Sequence, residues 1–268
     1  MEKTEYQIGD VAKIVGLSRD ALRFYEKKGI IKAKKKPNGY RYYSQEDLYR
    51  LMYIVYHRKM NASLGEIDEL MGQDVVDGPL KEHVMQRLKQ EEEELIRHER
   101  AIARLRLVAG DLASIERGLK GFEFRKFPAG YMVDCCQSQE DGLKEWFRLS
   151  AGESGLDMTY FYNVFSYSGE GKLAYKETQM IFYEKVKGCL KEGRENLIYR
   201  ARENRTCIYG VTRAEGICPD PSLVERMVQW GRLQGAADQG LVYVNAMMTV
   251  FLGEKRNHYL EIYIPVEE

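Results

Sequence analysis

The sequence predicts a multidomain chain in three parts: an all-α helix-turn-helix with a hairpin wing over residues 1–77, a long coiled-coil helix over 78–120, and an α+β domain with pseudo-twofold symmetry over 121–268. Three observations carry this. Charge is segregated: 41 Lys+Arg balance 41 Asp+Glu over 268 residues, yet residues 1–60 hold 14 basic and 7 acidic side chains, while 61–121 carry a net of −4 and 122–268 a net of −3. Proline is absent from Leu80 to Leu119, where apolar residues alternate steps of three and four. Aromatic residues crowd the last part, 21 of the 30 lying between Phe122 and Tyr263.

Composition narrows the function classes. A hydrophobic content of 44% supports a sizeable core. No run approaches the ~18 apolar residues of a membrane span, and the polar start MEKTEYQIGD lacks the apolar centre of a secretion signal. Neither a membrane nor a secreted role is expected. The cysteines, Cys135, Cys136, Cys189, Cys207 and Cys218, are odd in number and form no C-x-x-C, which fits a reduced cytoplasmic chain.

Ile8, Val11, Ala12 and Val15 fall on one face of a short helix ending at Gly16. Ser18 is an N-cap for a second helix, with Ala21, Leu22 and Tyr25 on its apolar face, ending at Gly29. Two short helices about a glycine turn read as a helix-turn-helix. Arg19, Arg23 and Lys27 recur every four residues on the second helix, the face a recognition helix offers to the DNA major groove, or else an ordinary solvated charge stripe. Lys32, Lys34, Lys35 and Lys36 then run into Pro37-Asn38-Gly39 and Tyr40-Arg41-Tyr42-Tyr43, a hairpin wing whose Asn-Gly predicts positive φ at both central residues. Ammonium and phenol groups such as those of Lys36 and Tyr40 suit phosphate oxygens, whereas alternation along the strand buries about half of the tyrosines. Ser44 with Asp47, and Ser63 with Glu66, are capping boxes opening two further helices.

The strings QIGDVAKIVGLSRDALRFYEKKGI, PNGYRYYS and ASLGEIDEL closely resemble the DNA-binding domain of MerR-family transcription regulators. The resemblance implies a winged-helix homodimer that sits in an overlong promoter spacer and distorts the DNA so that RNA polymerase can engage. By motif position it implies DNA contacts from Arg19, Arg23, Tyr25, Tyr40, Arg41 and Tyr43. Phe24 departs from the Tyr or His that many members carry there, which removes a hydroxyl contact.

The proline-free stretch makes a helix reaching about 60 Å. Its seam runs Val84, Leu88, Glu91, Leu95, His98, Ile102, Leu105, Ala109, Leu112 and Leu119. Leu88, Leu95, Ile102, Leu105 and Leu112 are the candidate dimerisation residues, and Glu91 and His98 are polar interruptions of the kind that set register. The resemblance implies antiparallel pairing of this helix across the dimer.

Strand-like runs follow at 123–134, 158–167, 176–186, 204–213, 241–251 and 258–266, with helices at 139–150 and 221–234. The order strand, helix, strand, strand occurs twice, which predicts two pseudo-equivalent halves with a cleft between them. The ending HYLEIYIPVEE and this repeat resemble the gyrase-inhibitor-like effector-binding domain of multidrug-sensing regulators. Glu261 alternates onto one strand face with Tyr259 and Tyr263, an arrangement suited to a lipophilic cation through charge attraction and cation–π contact, or to a surface ion pair. Trp146, Phe147, Tyr160, Tyr162, Tyr167, Tyr183 and Tyr243 are the other ligand-pocket candidates. The preceding strand LVYVNAMMTVF offers only Asn245 where drug-sensing relatives carry an acid, so a neutral aromatic ligand also fits.

These readings favour a ligand-responsive regulator bound to promoter DNA, a small-molecule effector and a second copy of itself, with no resident cofactor, no metal and no enzymatic activity. Three alternatives stay open: sensing of metal or redox state through the cysteines, hydrolysis in the last domain, and an architectural DNA binder with an empty tail.

Overall fold

The computed structural model describes residues 5–71, 79–151, 154–169, 172–191, 198, 200–202, 205–252 and 255–267. The chain packs as two units, Met1–Glu92 and Glu93–Glu268. The expected boundary between residues 77 and 78 lies outside the described residues.

In the first unit β1 (Glu5–Gln7) leads into α1 (Ile8–Val15) and α2 (Arg19–Lys27). Gly16 closes α1 at φ 69°, the left-handed conformation in which a side chain would be strained. Ser18 caps α2 by accepting from the Ala21 amide at 3.1 Å. The wing is β2 (Lys34–Lys35) paired antiparallel with β3 (Arg41–Ser44). Its turn differs from the expected one, because Gly39 has positive φ and Asn38 does not. Pro37, whose ring fixes φ near −65°, occupies the first central position and excludes the mirror-image turn. The Gly39 amide donates instead to the Lys36 carbonyl at 2.8 Å, and Asn38 Oδ1 accepts from the Tyr40 amide at 3.1 Å. Strand β1, too short for a sequence pattern to reveal, pairs Tyr6 with Tyr43 and completes a sheet of order β1-β3-β2.

Both capping boxes form, at the starts of α3 (Gln45–Lys59) and α4 (Leu64–Leu70). Asp47 also ties the wing to α3, since its two carboxylate oxygens accept from the amides of Lys32 at 3.1 Å and Ser44 at 2.8 Å. Val11, Leu22, Ile31, Tyr43, Leu51, Ile54 and Ile67 fill the core beneath.

Helix α5 (Pro79–Gly118) runs 40 residues. Within the first unit, its Arg87 donates to the Asn61 carbonyl at 3.2 Å, and Glu91 accepts from the Asn61 side chain at 3.2 Å. Glu91 therefore interrupts the seam while bonding within its own chain. Within the second unit α5 carries a second stripe, in which Arg100, Ala103, Leu107 and Ile115 are buried. The candidate dimerisation residues Leu88, Leu95, Ile102, Leu105 and Leu112 lie off that stripe, 46–70% exposed in the single chain. Gly118 ends the helix against the following sheet; a Cβ there would stand 2.2 Å from a methyl of Val211.

That sheet is formed by β4 (Glu123–Lys126), β5 (Gly130–Cys136), β6 (Thr159–Tyr167), β7 (Leu173–Tyr183), β8 (Arg200–Arg202), β9 (Thr206–Ala214), β10 (Leu241–Leu252) and β11 (Lys255–Pro265), with α6 (Gln139–Ser150) and α7 (Pro221–Leu233) inserted. The strands form one antiparallel sheet in the order β4-β9-β11-β10-β6-β7-β5-β8. The units β5-α6-β6-β7 and β9-α7-β10-β11 lie as β6-β7-β5 and β10-β11-β9 on either side of the β6–β10 pairing, which is the pseudo-twofold arrangement. The run 123–134 is two strands rather than one. Pro128 lacks the ladder donor, and the Phe127 amide bonds to the Arg205 carbonyl at 2.8 Å. Strand β8 was not anticipated, and Asn204, the expected start of β9, lies outside the described residues.

Residues paired across strands share a sheet face. Thr178, Asn163, Val244 and Ile262 therefore lie on one face, where Gly142 of α6 meets Thr178 and where Val224, Met227 and Val228 of α7 pack. Tyr162, Tyr243, Asn245, Glu261, Tyr263 and Tyr209 lie on the other, the face that Gly118 of α5 meets through Val211 and Tyr209.

Candidate functional site

The first unit presents a basic surface. Arg19, Arg23 and Lys27 are exposed along α2, and Lys34, Lys35 and Tyr40 are exposed on the wing. Several cations there are paired with acids. Arg23 meets Asp20 at 3.1 Å, Arg41 meets Glu26 at 2.9 Å, and Lys36 pairs with Glu5 while its ammonium sits 4.4 Å from the Tyr42 ring centroid. The Arg41 and Lys36 pairs hold the wing against α2 and β1, and all three cations stay at the surface. The Arg19 guanidinium lies over Gly9, where a Cβ would come within 3.2 Å of it. Tyr25 is half-buried against the core. Tyr43 corrects the expectation: it is fully buried and faces the core, because along β3 it alternates with its outward neighbour Tyr42.

In the second unit the sheet face opposite α6 and α7 holds a buried carboxylate cluster. Glu261 accepts from Tyr162 Oη at 2.9 Å and from Asn245 Nδ2 at 2.9 Å, the latter because Asn245 and Glu261 are cross-strand partners. The Tyr162 and Tyr183 hydroxyls bond to each other, and the Tyr183 ring stacks on Tyr160 at 4.5 Å. Tyr160 Oη donates to Asp111 of α5 at 3.1 Å. Phe127 fills the middle, its ring centroid 4.9 Å from Tyr162, 4.9 Å from Tyr263 and 5.5 Å from Tyr243. At the edge the Arg125 guanidinium lies 3.7 Å over the Tyr209 ring.

Burial sets the electrostatics. It pushes the Glu261 carboxyl above its usual range, against the opposing effect of the Asn245, Tyr162 and Tyr263 donors. It pushes Asp111 up to about 7, with the Glu261 charge adding to the shift. The fields of Arg125 on Glu261 and of Lys185 on Asp111 oppose these shifts. Among the described residues neither carboxylate forms an ion pair, so the surface-pair reading of Glu261 does not hold. The arrangement is one of acidic groups and aromatic faces shielded from water.

The structure thus brings together Glu261, Asn245, Tyr160, Tyr162, Tyr183 and Tyr243. It separates Tyr167 and Phe147 from them, while Trp146 packs at the border of the same apolar core. Tyr167 lies in the core on the α7 side, bonded to Glu225. Phe147 is 66% exposed on α6. Trp146 packs edge-on to Phe147 and donates to the Asp157 carbonyl at 3.2 Å. Sequence reasoning missed Asp111 and Phe127. Asp111 was accessible, since Ala103, Leu107, Asp111 and Ile115 repeat every four residues and place one acid in an otherwise apolar stripe.

No disulfide forms among the described residues, and burial pushes the thiols of Cys135 and Cys136 up to about 11. Among the described residues no group of three or more His, Cys, Asp or Glu is placed to hold a metal ion, and no helix is long and apolar enough to cross a membrane.

Residues 6–74 match the model of the MerR HTH family of regulatory proteins. The HTH-type transcriptional regulator CueR of Salmonella typhi is 30% identical over 139 residues, which cover 51% of this chain and 99% of that protein. The mercuric resistance operon regulatory protein of Bacillus cereus is 36% identical over 74 residues, covering 27% of this chain and 54% of the relative. The chain spans about half the length of several curated relatives that it matches. Among solved structures, EcmrR in its complex with DNA aligns over 98% of this chain and 100% of its own, at 15% identity and a TM-score of 0.36. With its helix-turn-helix and wing matched from end to end and the full length of a 30% identical relative covered, the chain belongs to the MerR HTH family of regulatory proteins.

Proposed function

We propose that the protein is a ligand-responsive transcription regulator that acts as a homodimer on promoter DNA with RNA polymerase, and that an aromatic or lipophilic cationic small molecule bound in the second unit switches it. The first unit supplies the DNA surface: Arg19, Arg23, Lys36, Tyr40 and Arg41 are at the surface of α2 and the wing, where phosphate contacts set register on a duplex. The exposed Leu88, Leu95, Ile102, Leu105 and Leu112 give the dimer a seam to bury; each leucine removed from water stabilises by about 1.5–3 kcal/mol.

The observation that carries the effector reading is Glu261, a buried carboxylate held by tyrosine and asparagine donors, ringed by aromatic faces, with no ion-pair partner among the described residues. A lipophilic cation supplies the missing charge and stacks where Phe127 now lies. Binding switches the promoter only where the cation favours the DNA-distorting state over the resting one, since equal affinity for both shifts nothing.

Tetraphenylphosphonium and its neutral counterpart triphenylphosphine oxide test this on the full chain by thermal unfolding. The cation at about 100 times its Kd stabilises by about 2.7 kcal/mol and the neutral compound by much less. In Glu261→Gln the preference for the cation disappears. Equal stabilisation by the two compounds in the wild-type protein sinks the cationic reading, and no stabilisation by either sinks the effector site.

A further inference from the structure

Glu261 lies across the β10–β11 ladder from Asn245, which donates its amide to that carboxylate. A second acid at the site therefore comes from another element. It stands on α5, where Asp111 shares the stripe of Ala103, Leu107 and Ile115, the last three buried against the second unit. Three tyrosines join the two acids. Tyr160 donates to Asp111 at 3.1 Å and stacks on Tyr183, the Tyr183 hydroxyl meets that of Tyr162, and Tyr162 donates to Glu261 at 2.9 Å.

We propose that Asp111 is a second effector-facing carboxylate carried by α5 itself, and that a cation entering beside Glu261 binds it in exchange for a proton. This rests on the cationic-effector reading above and adds where the second charge comes from. The exchange balances: the protonated Asp111 carboxyl loses H⁺ to solvent, and the carboxylate left behind pairs with the incoming cation. The groups that act on Asp111 are the Tyr160 hydroxyl of β6 through its hydrogen bond, and the charges of Glu261 of β11 and Lys185 in the turn after β7. Of these, Glu261 makes the unliganded site repulsive to a second negative charge and Lys185 relieves it only in part. A carboxyl already raised to about 7 is available for such exchange at neutral pH. Asp111 stands on α5, a continuous helix with residues in both units.

The test is calorimetric titration of the full chain with tetraphenylphosphonium over about pH 5.5 to 8.5, in two buffers of different protonation enthalpy, to read affinity and protons released. One proton released per cation makes affinity fall about tenfold per pH unit below about pH 7 and level off above it. Asp111→Asn flattens the profile and removes the release near neutrality. Tyr160→Phe, which removes the hydroxyl favouring ionised Asp111, moves the midpoint to higher pH and carries the test should Asp111→Asn fail to fold. A flat wild-type profile, or a slope unchanged in Asp111→Asn, overturns the role of Asp111 and leaves the effector reading standing. Binding of no cation at any pH overturns both.

Discussion

The two units use charge in opposite ways. In the first, Arg23–Asp20 and Arg41–Glu26 are surface pairs, and pairs of that kind contribute at most about 1 kcal/mol, so the cations are held in place while little stability depends on them. In the second, Asp111 and Glu261 are shielded by tyrosines, and burial shifts both carboxyls toward their protonated forms. The difference teaches where function is tied to stability. On the proposed function, a polyanion meets surface charges that remain solvated, whereas a small cation meets charges already taken from water, and the fold bears that cost until the ligand arrives.

The largest effect that can break this comparison comes from Asp111→Asn in the unliganded protein. Asp111 rises from 3.8 to about 7 on folding, so the folded state prefers the proton; stability is full below about pH 4 and falls as pH rises to 7, by up to roughly 4 kcal/mol. The variant is therefore more stable than wild type at pH 8 by up to that amount and equal to it near pH 4, measured by urea unfolding. A pH-independent difference between the two removes the claim that Asp111 is buried at a cost.

Arg19→Ala sits on the other side of the comparison. Its exposed guanidinium supports no core contact, so stability changes by less than about 0.5 kcal/mol. Promoter affinity falls about tenfold, and the slope of log affinity against log salt becomes shallower by about 1, read by titration at several salt concentrations. An unchanged salt slope takes Arg19 off the DNA surface.

The smallest effect is at Tyr43, a buried group in the unit of exposed charges. Among the described residues its buried hydroxyl has no hydrogen-bond partner, so Tyr43→Phe leaves stability unchanged or raises it by up to about 1 kcal/mol, and leaves DNA affinity unchanged. Weaker DNA binding with intact stability restores Tyr43 to the DNA surface.

The parts of this structure that depend on near neighbours were legible. Ser18, Ser44 and Ser63 each announced a helix start because a cap bonds three residues on, and Gly16 and Gly29 announced ends because they take positive φ. Alternation placed Glu261 on a face with Tyr263 for the same reason. What sequence could not settle was which face meets what. Tyr43 and Tyr167 were chemically suitable site residues and proved to be core, Phe147 faces solvent, and Asp111 joined the site from 150 positions before Glu261. Tyr167 and Phe147 depend on which sheet face α6 and α7 cover, Tyr43 on how β3 packs in the first unit, and Asp111, whose stripe spacing does show, on which face α5 meets.

The sequence by itself determined the family, the helices and wing of the first unit, the long helix and the twofold repeat of the aromatic domain, since caps, turns and periodicity act over a few residues. Only the tertiary structure decided that Asn245 and Tyr162 would hold Glu261, that Phe127 would fill the ring of tyrosines, and that α5 would bring Asp111 to them. Those decisions rest on strand register and on the burial of one helix stripe, both set by contacts between residues far apart in the chain.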